Sequence, residues 1–476
     1  MSAAALDALR ALLGPRGVLT EPDEMASYET GARYDRGRAL AVLRPADTAQ
    51  VSGAVAICVR HGLHLIAQSG NTGLVAGSTP DDSGTQVVLS LDRVTGVFSA
   101  DIDNRSLTVG AGHRLSEVNR RLAADGLFFP IDLGADPGIG GMIATNTGGA
   151  RFLRYGDVRA NVLGLTVVLA DGAGTVLDLG GPLYKNNTGV DWKQLFIGTC
   201  GAFGIVTKAV LKLHRLPRDQ AAAILVPASG EAVLSLLRAM EERLGPELSA
   251  FEGMSGNAIR AALDHVPSLG NPFGGAVPDY AILAEISRAR PARGDEANAE
   301  DLLQEVLADI METEPDLLAD ARFGALERTW SLRHALSEGV KNAGRLIAFD
   351  LAFRRGDIMR FCDRMKAEMP ARFPGVTICD FGHIGDGGVH FNLVVAPDNA
   401  LATDPARECA LRDWVFDVTV REFGGSFSAE HGIGRKNQRW YDLYTPDTQR
   451  RLATALHRAT ASAPHLPPRL GAVSFE

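Results

Sequence analysis

An α+β protein of more than one domain is what this sequence predicts, on three observations. The chain has 476 residues, well beyond what one hydrophobic core organises, so two or three domains are expected. Residues 38–215 are dense in glycine and in short β-type runs closed by turn residues. From about residue 220, amphipathic helices interleave with apolar or alternating runs of strand character, and a last stretch, 405–476, reads as mostly helical around a loop at "GGSFSAEHGIGRKNQ".

Each element has its local reason. "MSAAALDALRALLGPRG" is a short amphipathic helix ending near Gly14 and Pro15. Its apolar run is too short for a signal sequence with a cleavage site. It carries Asp7 and few arginines, unlike a transit peptide. "LAVLRP", "HLIAQ", "TQVVLSL", "SLTVGAG", "VLGLTVVLADG" and "TVLDL" fit strands of four to eight residues. Between them, "AQVSGAVAICVRHG" has helical periodicity, with Asp47 or Thr48 as N-cap and Gly62 where a C-cap would fall. "LSEVNRRLAADG" is a second helix. In the later region "SGEAVLSLLRAMEERLG" and "DEANAEDLLQEVLADIMETEP" are helices, while "DYAILAEIS", "RLIAFDLAF" and "HFNLVVAP" are strands. There is no internal repeat and no low-complexity linker.

Composition narrows the function classes. Apolar residues make up 46% and charged residues 22%, an ordinary soluble balance. A formal charge of −9 argues against a broad nucleic-acid surface, though a local basic pocket for an anionic substrate stays open. The five cysteines, Cys58, Cys200, Cys362, Cys379 and Cys409, form no C-x-x-C pair. A scattered odd set points to a reducing compartment, hence the cytoplasm. No run approaches the ~18 apolar residues of a membrane span.

Three glycine-rich stretches carry the first chemistry. "AQSGNTGLVAGSTP", Ala67 to Pro80, follows a strand. Its glycines and small polar residues can turn successive N–H groups into one concavity that holds phosphate oxygens; otherwise it is a wide surface turn. It is neither a Walker A loop nor the dinucleotide fingerprint. "PIDLGADPGIGGMIATNTGGARFLRYGDV", Pro130 to Val158, has seven glycines between 134 and 156. A flat ligand could approach its backbone closely, or the loop packs between subdomains. "YKNNTGVDWKQLFIGTCGAFGIVT", Tyr184 to Thr207, is the third.

The second chemistry lies in "HIGDGGVHFN", residues 383–392. A hairpin turning at Asp386-Gly387 sets His383 opposite His390, with Cβ atoms ~4.5–5.5 Å apart, a span that suits two imidazoles on one divalent ion. Asn392, two residues on, shares that face. The bland alternative is a glycine turn flanked by two histidines. In "AEHGIG", Glu430 and His431 are adjacent; a carboxylate from there would complete a two-His-one-carboxylate set with open positions.

The three glycine stretches, in this order and spacing, resemble the FAD-binding domain of the vanillyl-alcohol-oxidase (PCMH-type) flavoprotein family. "WSLRHALSEG", "GHIGDGGVHFNL" and "SAEHGIGRKN" extend the resemblance to the subgroup of D-2-hydroxyglutarate and D-lactate dehydrogenases, over roughly residues 20–460. It implies a two-subdomain FAD-binding domain at 1–218. An α+β substrate (cap) domain with an antiparallel sheet follows at 219–424, and a C-terminal segment, 425–476, returns to the FAD site. It implies that Ser69, Gly70, Asn71, Thr72, Gly73, Leu74 and Ser78 hold the FAD pyrophosphate. Asp132, Leu133, Gly134, Gly140, Gly141, Ala144, Asn146, Gly148, Gly149 and Tyr155 line the cofactor, with Gly204, Ile205 and Val206 near its far part. His383, His390 and Glu430 are implied ligands of a divalent metal, zinc first. His431 is the acid/base, Arg333 the substrate-carboxylate clamp with Ser337 one turn on, and Asn392 a further catalytic residue.

The implied activity is oxidation of a D-2-hydroxy acid to the 2-oxo acid by hydride transfer to flavin N5. Reoxidation falls to an electron-transfer flavoprotein, a quinone or a cytochrome, and a homodimer is the common prior. Two alternatives are a metal-dependent hydrolase on the same histidines and a flavin-binding protein without hydroxy-acid activity. The chain departs from the pattern in three places. Asn71 stands where some relatives carry a histidine bonded to flavin, so FAD should be dissociable. Thr199-Cys200-Gly201 replaces Ser-Glu-Gly, which alters packing near the cofactor. Ile347-Ala348-Phe349-Asp350 lacks the lysine of an Ile-Lys-x-Asp strand, which puts a second-carboxylate contact in doubt; Lys341 and Arg345 are nearby in sequence.

Overall fold

The short aliphatic runs become strands where turn residues bound them: His64–Gln68, Gln86–Ser90, Ser106–Gly110, Val162–Val168 and Val176–Gly180. The structure is a computed structural model that describes residues 1–33, 36–461 and 467–471. Of the two candidate caps for the helix Thr48–Arg60, Asp47 is the one used: its carboxylate accepts the Gln50 N–H, and Gly62 behind the helix takes φ 66°. The chain divides into two units, residues 1–148, 157–216 and 430–476 in the first, 149–156 and 217–429 in the second.

The first unit carries two main sheets. One has four strands in the order Val18–Leu19, Ala39–Leu43, Gln86–Ser90, His64–Gln68. The last three run parallel, which requires a crossover such as the helix Thr48–Arg60. Leu43, Val51, Val55, Leu65, Val87 and Leu89 form its core. The other sheet is antiparallel, in the order Phe98–Asp101, Ser106–Gly110, Ile205–Lys212, Val162–Val168, Val176–Gly180. Its core includes Val118, Phe129, Val167 and Leu211. The helices Gly434–Tyr444 and Asp447–Thr460 close this unit's sequence.

The second unit is built on one eight-stranded antiparallel sheet. Its path runs Leu318–Phe323, Asp219–Pro227, Tyr280–Arg288, Leu248–Ser255, Phe381–Gly382, Gly388–Val395, Arg345–Ala352, with Thr377–Ile378 paired to 388–395. The 248–255 and 280–288 strands are buried along their whole length, as strands covered on both faces are. One face packs Ala250, Met254, Ala281, Leu283 and Val394 against Ile259 and Leu336, from the helices Gly256–His265 and Leu326–Asn342. Period-2 alternation sends their neighbours to the other face, where Phe391 meets Phe361 of the helix Ile358–Arg372 at 5.2 Å between ring centroids. Among the described residues no helix is long and apolar enough to cross a membrane.

Candidate active site

In the first unit, Gln68 at the end of its strand pins both ends of the first glycine loop. Its Nε2 donates to Tyr28 O at 2.9 Å and to Ser78 O at 2.7 Å. Asn71 sits at φ 54°; its amide donates to Thr30 O and accepts from Ser78 Oγ, each at 2.9 Å. Among the described residues, no backbone N–H from Asn71 to Gly77 meets an acceptor. A Cβ on Gly70 would stand 2.4 Å from Gly138 N, so these two loops touch backbone to backbone. Gly73 has no neighbour nearer than 3.8 Å and Gly134 none within 4 Å. N–H groups without an acceptor among the described residues, in one curve beside open, side-chain-free backbone, fit a pyrophosphate group.

The second and third loops interlock within the same unit. Gly140 is a packing glycine, with a Cβ that would lie 2.8 Å from Ala111 Cβ. Asn146 caps the helix Ile139–Thr145 at φ 53°; its side chain donates to Asp157 and accepts from Arg159 N. The Ala144 carbonyl accepts the Cys200 N–H at 2.7 Å. Gly204 packs against Val167, and the Ile205 and Val206 side chains lie in the core. Any cofactor contact from these two would come through backbone. Cys200 lies at φ 52°, pushed up by burial while its sulfur takes the N–H groups of Ile433 and Gly434. A Cβ on Gly432 would come 2.6 Å from that sulfur. The departure at Cys200 therefore shapes the seat of the loop that carries Glu430 and His431. Glu430 Oε2 accepts the Gly148 N–H at 3.2 Å. Gly149 and Tyr155 fall in the second unit.

The second unit gathers the histidines, the arginine and two carboxylates on one sheet face. The hairpin expectation needs a correction. His390 lies between Asp350 and Phe381 in register, so Phe381 and not His383 stands across from it. His383 belongs to a wide turn, where its carbonyl accepts from Asp386 N and Gly388 N. Gly387 makes the turn feasible, at φ 106° with no room for a Cβ 2.4 Å from Phe353 O. The two imidazoles converge all the same, with centroids 5.3 Å apart. Asp350 Oδ1 lies 3.5 Å from His390 Nδ1. Asn392 is buried and its side chain donates to His390 O.

Glu252, at the centre of its strand, binds two of these groups. Its Oε1 accepts from His383 Nδ1 at 2.7 Å, and its Oε2 accepts from Arg333 Nε at 2.8 Å and forms an ion pair with Nη2 at 2.8 Å. Burial alone would push this carboxyl up; the His383 imidazole and the Arg333 guanidinium beside it bring it down to about 2. Arg333 is itself buried, with its guanidinium carbon 5.0 Å from the Phe381 ring centroid. A further buried carboxylate, Glu285, takes a two-pronged bond from Arg151 and further bonds from Trp330 Nε1 and Ser249 Oγ. Ala348 faces Asn392 in register. Lys341 and Arg345 are exposed and pair with Glu338 and Glu408, so neither substitutes for a lysine at 348. Glu252, Asp350 and Glu285 were missed in the sequence, although a signal existed. A carboxylate inside an otherwise apolar strand, as in "LSAFEGMS" and "DYAILAEIS", must find a partner.

Comparison with known proteins finds two family matches along the chain. Residues 39–180 match the FAD binding domain family, and residues 216–460 match the C-terminal domain of FAD linked oxidases. D-2-hydroxyglutarate dehydrogenase of Stutzerimonas stutzeri is 31% identical over 441 residues, covering 90% of each chain. The mitochondrial D-2-hydroxyglutarate dehydrogenase of Danio rerio is 32% identical over 442 residues, covering 91% of this chain and 79% of that one. Among solved structures, p-cresol methylhydroxylase aligns with a TM-score of 0.75 at 17% identity, covering 98% of this chain and 96% of that one. The last is a likeness of fold.

Proposed function

The chain belongs to the FAD-dependent D-2-hydroxyglutarate dehydrogenase family of oxidoreductases, and from that premise we propose that it oxidises a D-2-hydroxy acid to the 2-oxo acid with the help of a divalent metal. The observation that carries the metal reading is the pair of converging imidazoles in the second unit, each with Nδ1 facing a carboxylate, Glu252 or Asp350. Metal-binding histidines are oriented in this way by carboxylates behind them. Glu430 as third ligand rests on the resemblance carried by "SAEHGIGRKN".

Bound FAD supplies the hydride acceptor, N5 of its isoalloxazine, and the ion, zinc first, supplies a Lewis acid for the substrate hydroxyl. The chain's own residues do the rest. The glycine loop 69–78 cradles the pyrophosphate through its N–H groups, and the flavin is held without a covalent bond, since residue 71 is an asparagine and not a histidine. Arg333 anchors the substrate carboxylate by the guanidinium edge that Glu252 leaves open. Asn392 orients the substrate beside His390. His431 removes the hydroxyl proton as the general base. Cytoplasmic location, a homodimer, and an electron-transfer flavoprotein, quinone or cytochrome as acceptor complete the reading; fractionation, sedimentation and acceptor assays test them.

The decisive experiment is anaerobic stopped-flow bleaching of the flavin band at about 450 nm by lactate, malate, 2-hydroxyglutarate and bulkier D-2-hydroxy acids, with metal present. Bleaching by one or more D-acids is expected. No bleaching by any would favour a flavin-binding protein with other chemistry. A metal-dependent hydrolase leaves the FAD binding domain at 39–180 without a role.

A further inference from the structure

Glu252 occupies a position where a carboxylate is costly. It is 1% exposed, and Ala250 and Met254, two residues to either side on the same face, lie in an apolar cluster. Replacing a buried ion pair by well-packed apolar groups is commonly neutral or stabilising, so stability alone does not account for an acid here. Its bonds do. Oε1 accepts from one histidine, and Oε2 accepts from Nε of one arginine while pairing with its Nη2.

We propose that Glu252 is a positioning residue that sets the tautomer of His383 and the presented edge of Arg333 at once. The inference rests on the reading of His383 as a metal ligand and Arg333 as a carboxylate clamp, and deepens it. An ionised carboxylate accepts and cannot donate, so the proton of a neutral His383 sits on Nδ1 and the lone pair on Nε2. A metal takes only that lone pair. The same carboxylate occupies the Nε/Nη2 edge of Arg333. The Nη1/Nη2 edge remains, and Nη1 has no acceptor among the described residues. That edge is a planar two-donor fork matched to a second carboxylate. Phe381 lies over the guanidinium and limits its rotation. Metal affinity and substrate-carboxylate recognition thus share one pivot on a rigid central strand.

The test is Glu252→Gln in the flavin-loaded full chain. The amide oxygen satisfies Arg333, which leaves an NH₂ group facing His383 Nδ1. That group needs an acceptor, so the proton moves to Nε2. Zinc affinity, measured by competition with a chromophoric chelator, is expected to weaken ~10-fold or more, and KM for the best D-2-hydroxy acid to rise with it, while the flavin spectrum stays that of bound FAD. Zinc affinity and KM both within twofold of wild type overturn the proposal. If Glu252→Gln does not accumulate as folded protein, Glu252→Asp takes its place. One methylene shorter, it cannot reach both partners, and unchanged zinc affinity and KM again overturn the idea. A wild-type protein that binds no divalent ion sinks the metal reading itself. Binding by wild type and variant alike sinks only the role of Glu252.

Discussion

Replacing Arg151 by alanine strips the charged partner from Glu285, a fully buried carboxylate of the second unit. Glu285 is 0% exposed and accepts from Arg151 Nε and Nη2 at 2.9 Å each, from Trp330 Nε1 at 2.8 Å and from Ser249 Oγ at 2.7 Å. Without the arginine only two neutral donors remain for an interior negative charge. Breaking a buried pair from one side costs ~3–5 kcal/mol. The Arg151 side chain is 20% exposed, and water reaching the vacated space favours the lower end, ~3 kcal/mol. For a unit of roughly 200 residues that corresponds to a fall of about 6–12 °C in Tm. Thermal and urea unfolding followed by near-ultraviolet circular dichroism read it directly. The double variant Arg151→Ala/Glu285→Leu removes the stranded charge and should recover at least half of the loss. A single-variant loss below ~1 kcal/mol, or a double variant no better than the single one, would refute the assignment of Glu285 as a buried anion held by Arg151.

Four further outcomes are expected. Gly73→Ala adds a methyl where the protein leaves open space, so unfolding should be unchanged while FAD dissociates more readily; Gly140→Ala meets Ala111 and should lower Tm instead. Equal FAD retention in wild type and Gly73→Ala would remove the loop from the cofactor site. His431→Asn should lower turnover ~10²–10⁴-fold with the flavin absorbance intact, and unchanged turnover excludes it as the base. Ala348→Lys places a cation opposite Asn392; the ratio of kcat/KM for D-2-hydroxyglutarate over D-lactate should rise ~10-fold, about the worth of one charge-assisted hydrogen bond, and a flat ratio would move the distal pocket elsewhere. Burial pushes the Cys58 and Cys379 thiols up to about 12 and the Cys362 thiol well above its ordinary range, so a thiol reagent at pH 8 should label no more than Cys200 and Cys409 in the native protein. Rapid labelling of a third cysteine contradicts the packing.

The strands and caps were legible because their causes are local. "HLIAQ" is a strand by its own alternation and Asp47 a cap by its position before a periodic run. The two imidazoles of "HIGDGGVHFN" were legible as a converging pair, yet their route to convergence was not. The turn is wider than a symmetric hairpin, since Gly382 and Gly387 take φ 142° and 106° and bring Phe381 across from His390.

Composition, turn chemistry and motif order by themselves determined the α+β class, the glycine loops and the choice of candidate side chains. Only the tertiary structure decided what stands behind those side chains. Glu252 lies 131 residues from His383 and 81 from Arg333, and Asp350 reaches His390 through strand register alone. Helical and strand periodicities act over a few residues. The pairing of a buried charge is settled by which strands become neighbours, and the cost of leaving that charge unpaired makes the pairing specific.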